Sequence, residues 1–73
     1  MKAFVVTKTD GGITETGFPR VIRSEAKATE AFFFAIKTTD SQVTNEELEE
    51  HRENEYFDFG GNITITITEV DVE

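Results

Sequence analysis

Residues 63–68 read Ile63-Thr64-Ile65-Thr66-Ile67-Thr68, three repeats of one apolar and one polar β-branched residue. Side chains on a strand alternate between its two faces, so this segment reads as a strand with three isoleucines on one face and three threonines on the other. The isoleucine face demands a covering layer, and that demand organises the rest of the chain. Val70 and Val72 have the opposite parity, which predicts a bulge, a twist or a change of partner near Thr68-Glu69.

Three further segments qualify as strands. Ala3–Lys8 alternates and is rich in Val and Phe, with Phe4 and Val6 sharing a face. Thr9-Asp10-Gly11-Gly12 ends it with tight-turn chemistry. A second strand is expected within Ile13–Ile22, best ordered at Arg20–Ile22. Pro19 cannot donate to a ladder, so this strand is bulged, bent or at an edge. Tyr56-Phe57-Asp58-Phe59 reads as a short strand joined to Ile63 through the Gly60-Gly61-Asn62 turn.

Between them lie two helices. Ser24 is suited to cap a helix running to about Lys37, with Glu25 and Lys37 placed to complement its dipole. At about 100° per residue, Ala28, Phe33, Ala35 and Ile36 fall within roughly 100° of Phe32, which makes one wide apolar face. Phe34 falls on the opposite side with Lys27, Glu30 and Lys37. After a polar loop, Thr44 and Glu47 form a capping box, and Val43 and Leu48 occupy the positions of a hydrophobic staple. The helix after the box, roughly Asn45–Glu53, is almost wholly polar; Leu48, with Tyr56 two turns later, is what can dock it.

The expected fold is therefore a single α+β domain over residues 1–73. It has an antiparallel sheet of three to four strands in ββααββ order, one main amphipathic helix on one face and a short acidic helix. Phe4, Val6, Phe57, Phe59 and the isoleucines would meet the Phe32 face, with the first and last strands side by side.

Composition excludes much chemistry. With 73 residues the core is thin, and with no cysteine neither a disulfide nor a thiolate metal site can reinforce it. No apolar run approaches the ~18 residues of a membrane span, and the N-terminus lacks a signal peptide's apolar stretch. A cytoplasmic, non-membrane protein is expected. Two serines and the single His51 make a poor nucleophile inventory, and Ser24 is taken by the cap. Glu47, His51 and Glu55 recur every four residues and could hold zinc or manganese on one helix face, but in so acidic a segment some glutamate must fall four residues from the histidine. Paired-carboxylate hydrolysis needs a cleft that two helices and one small sheet do not provide. Gly11-Gly12 and Gly60-Gly61 lack the residues of a phosphate loop and read as turns. No enzyme activity, cofactor or metal is expected.

Charge is the sharper signal. Residues 1–39 carry six bases and four acids, whereas residues 40–73 carry one base, Arg52, and eleven acids, within a net charge of −8. Direct binding to nucleic acid is disfavoured, since phosphate contacts need clustered Lys and Arg. The candidate partner-binding residues are Glu46, Glu47, Glu49, Glu50, Glu53, Glu55 and Asp58. Like charges at i, i+3 and i+4 repel, and a basic protein surface is their natural counterpart. Phe34 joins the set as a candidate aromatic anchor. In size, acidity and mixed build the chain resembles the small inhibitors that phages and mobile elements direct at host defence, anti-CRISPR proteins and restriction inhibitors among them. That resemblance is one of style, carries no motif, and implies docking on a basic nucleic-acid-binding surface of a partner. The alternative expectation is an assembly subunit, a homodimer or larger homo-oligomer joined through the 62–72 strand or Phe34.

Overall fold

A computed structural model describes residues 1–72. The isoleucine–threonine segment lies inside the sheet, as β5 (Ile63–Asp71). It pairs antiparallel along its whole length with β1 (Lys2–Asp10), from Lys2↔Asp71 to Asp10↔Ile63. Its other edge pairs with β4 (Tyr56–Gly60) over Ile63–Thr66. The outer side of β1 is shared by β2 (Ile13–Thr14), beside Thr9 and Asp10, and β3 (Arg20–Ile22), beside Phe4, Val5 and Val6. The sheet thus has five strands in the order β2-β1-β5-β4, with β3 also on β1.

That is one strand more than expected, because the segment between Ile13 and Ile22 forms two short pieces. Residues between them leave the ladder: the Glu15 N–H still donates to the Lys8 carbonyl at 2.9 Å, then the Phe18 N–H turns back to the Glu15 carbonyl at 3.1 Å. Gly17 with φ +93° and Pro19, which has no N–H to give, account for the break.

Of the bulge, twist or change of partner expected near Thr68-Glu69, no bulge occurs: the β1–β5 register runs through without a shift, while the pairing with β4 ends at Thr66. Val70 simply points to the threonine face, where it lies opposite the buried Ala3 and where Val5 faces Val21. A small apolar patch at one end of that face accepts the change of parity. The irregularity falls instead between Asp58 and Gly60, where the Asp58 carboxylate accepts the Gly60 N–H at 2.9 Å. Gly60, Gly61 and Asn62 then take φ of +90°, +57° and +75°, a run that two glycines make accessible.

Two helices cover the isoleucine face. α1 (Glu25–Thr39) begins where the Ser24 hydroxyl accepts the Lys27 N–H at 3.3 Å, and it buries Ala28, Phe32, Ala35 and Ile36. These meet Phe4, Val6, Ile65, Ile67 and Phe57 in one core. Phe59, expected in that core, is half-exposed: it sits at the bulged end of an edge strand, its ring 6.3 Å from that of Phe57. α2 (Asn45–Asn54) carries the complete capping box and buries only Leu48. Tyr56 does not help to hold it, since Tyr56 pairs with Thr66 and so lies on the threonine face. His51 does, edge-on to the Phe57 ring at 4.7 Å.

With so little apolar anchorage, the cap matters to α2. Thr44→Ala removes the acceptor for the Glu47 N–H and is expected to lower stability by about 1 kcal/mol. The readout is the urea midpoint; an unchanged midpoint contradicts the role given to the cap.

Candidate functional site

The capping box sets the phase of α2, and with it the direction of every carboxylate. Seen down the axis, Glu46, Glu49, Glu50 and Glu53 fall within an arc of roughly 100°, on the side opposite Leu48. All four are exposed, and none makes an ion pair among the described residues. They occupy eight residues, about 12 Å of helix at 1.5 Å per residue, so the stripe carries roughly one negative charge per 3 Å.

Arg52, the one base of this half, does not interleave with them. Its side chain turns inward to α1, where Nε donates to the Thr29 hydroxyl at 2.9 Å and a terminal nitrogen lies 3.4 Å from the Glu25 carboxylate. The guanidinium also sits 6.0 Å from the centre of the Phe4 ring. Arg52 therefore ties α2 to α1 and leaves the outer stripe uncompensated.

The remaining acids of the predicted set go elsewhere. The Glu47 carboxylate accepts the Thr44 N–H at 3.2 Å and its hydroxyl at 3.0 Å, so it serves the cap. Glu55 lies outside the helix as its left-handed C-cap, φ +59°; its carbonyl accepts the Ile67 N–H at 3.3 Å, which pins the end of α2 to β5. Asp58 is opposite Thr64 on the threonine face, the side of the sheet away from the helices. Seven predicted acids thus resolve into a stripe of four and three residues with local structural duties.

The same placement breaks up the metal candidate. Glu47 is engaged in the cap, His51 packs on Phe57 and Glu55 has left the helix. No group of three His, Asp or Glu side chains able to hold a metal occurs among the described residues. The glycine pairs are hairpin turns, tied together where the Gly11 N–H donates to the Asn62 carbonyl at 3.2 Å. No described helix is long and apolar enough to cross a membrane.

Phe34 is left uncovered by either helix or loop, with 69% of its surface exposed. It stands on the outer face of α1, and two shallow hollows beside it are lined by Arg20, Lys27, Glu30, Ala31, Phe33 and Lys37. None of Arg20, Lys27 and Lys37 makes an ion pair among the described residues. Helical spacing already placed Lys27, Glu30 and Lys37 beside Phe34. Arg20 could not be foreseen, because its approach to α1 depends on the pairing of Arg20 with Val6.

The 62–72 strand, the other surface considered for self-assembly, is mostly unavailable. Among the described residues, β5 has neighbours on both sides over Ile63–Thr66, and only its Thr68–Asp71 end has a free outer edge. Comparison with protein families, with curated proteins and with solved structures returns no match.

Proposed function

We propose that this chain is a non-enzymatic binding module that docks the outer stripe of α2 on a basic surface of another protein, where it takes the place of a nucleic-acid strand. The observation that carries this reading is the uncompensated row Glu46, Glu49, Glu50 and Glu53, with Arg52 turned away from it. Measured along the axis, roughly one charge per 3 Å is at least as dense as one DNA strand, which carries about one phosphate per 3.4 Å of duplex axis. A groove built for phosphates would meet carboxylates at similar density. Self-repulsion along α2 falls when that groove supplies the missing cations. Occupation of such a groove would inhibit its owner, in the manner of the anti-defence inhibitors the sequence resembles.

Low-salt capture from a cell lysate tests the idea, followed by challenge of the captured proteins with a duplex oligonucleotide. Captured proteins are expected to be basic nucleic-acid binders, released by the oligonucleotide and by raising salt from about 50 to about 200 mM. Capture insensitive to both overturns the reading.

A further inference from the structure

We propose that the outer face of α1 around Phe34 is a docking site for a second copy of this chain, whose α2 supplies the opposing carboxylates, and that the contact is made twice about a two-fold axis. Both helices contribute to one core on one side of the sheet, Phe32 and Ile36 from α1 and Leu48 from α2. Their outer faces consequently lie side by side on one surface of the molecule.

That surface is divided by charge. The α1 strip presents Phe34 with Arg20, Lys27 and Lys37 and a single carboxylate, Glu30. The adjoining α2 strip presents Glu46, Glu49, Glu50 and Glu53 with no exposed base of its own. A two-fold axis through the boundary lays the cationic strip of each copy on the anionic strip of the other. A self-complementary patch is what a closed symmetric dimer requires. Phe34, with Ala31 and Phe33 next to it, stands inside the cationic strip and would be covered by the partner's α2, an aromatic contact within a charged surround.

The dimer hides the stripe that a foreign basic partner would take, so self-association and partner binding compete. That consequence rests on the function proposed above, whereas the dimer geometry does not.

Sedimentation velocity from micromolar to millimolar protein is the test. The wild-type chain is expected to form a reversible dimer. Lys27→Glu with Lys37→Glu is expected to be monomeric, as is Glu46→Lys with Glu50→Lys. An equimolar mixture of these two variants is expected to dimerise again, because one contact of the mixed pair keeps the wild-type charges and the other sets the two new glutamates against the two new lysines. Phe34→Ala removes an exposed side chain that folding does not need, and it should weaken the dimer on the order of tenfold or more. A wild-type chain that stays monomeric, a mixture of folded variants that fails to associate, or open-ended growth beyond a dimer each overturns the proposal. A decalysine peptide separates the two ideas. The Lys27/Lys37 variant keeps the acidic stripe and should bind the peptide at least as well as wild type, whereas the Glu46/Glu50 variant should not. Peptide binding without dimerisation overturns the dimer alone, and dimerisation without peptide binding overturns the reading of the stripe as a general docking surface.

Discussion

Changing Glu46, Glu49, Glu50 and Glu53 together to lysine is expected to weaken binding to a basic partner by on the order of 100-fold or more, with the fold retained. Each change replaces an attraction by a repulsion, and all four act on one strip of surface. The fold should survive because none of the four touches the core or makes an internal ion pair among the described residues. Neutralisation to glutamine should give a smaller loss of affinity, since it removes attraction without adding repulsion. The sharper control reverses Glu55 and Asp58 instead. The sequence alone ranks those two with the stripe, yet the structure puts Glu55 at the C-cap and Asp58 on the far face of the sheet. That variant is expected to bind within about threefold of wild type, a difference of less than ~1 kcal/mol. Titration calorimetry reads all three variants. Unchanged affinity in the lysine variant, or equal losses in the stripe and control variants, would remove α2 as the docking element.

Phe32→Ala is expected to cost about 3–5 kcal/mol. Phe32 has no exposed surface and sits where α1 meets the two central strands. At the usual ~0.05–0.15 kcal/mol per residue, a domain of this length has a total stability of only about 4–11 kcal/mol. One deleted ring therefore brings the chain close to its unfolding threshold, and no disulfide restrains the unfolded ensemble. Phe34→Ala, two residues away on the opposite side of the helix, should change stability by no more than about 0.5 kcal/mol. Urea unfolding of the two variants side by side is the measurement. A Phe32→Ala loss below about 1 kcal/mol would show that the core is not organised around this ring.

Local signals made most of this fold legible in the sequence. The Phe32 face of α1, the Thr44 and Glu47 box and the central isoleucines depend on spacing within a few residues, and each stands where spacing puts it. Failures came where an outcome depends on a distant partner. Val70 suggested a bulge because its parity conflicts with Ile67, yet parity along one strand says nothing of Ala3 across the sheet. Phe59 alternates correctly with Phe57, but the Asp58–Gly60 bulge and the edge position leave it half in solvent. For the site, composition located the acids without separating them. Glu47 and Glu55 became structural only once the helix ends were defined, and nothing local to Arg52 showed that a bond to Thr29 turns it inward.

The pairing of β1 with β5 has a kinetic consequence. Lys2 meets Asp71 and Asp10 meets Ile63, so the longest ladder in the sheet joins opposite ends of the chain. Even at its inner end, Asp10↔Ile63, the whole stretch of residues 11–62 must be gathered into a loop before that ladder returns any stabilisation, and the entropy of closure is lost first. The two central strands each bring half of an apolar layer that is incomplete without the other. Folding of this small domain should therefore be slower than its length suggests, nearer the range of sheet proteins than of helical bundles of similar size.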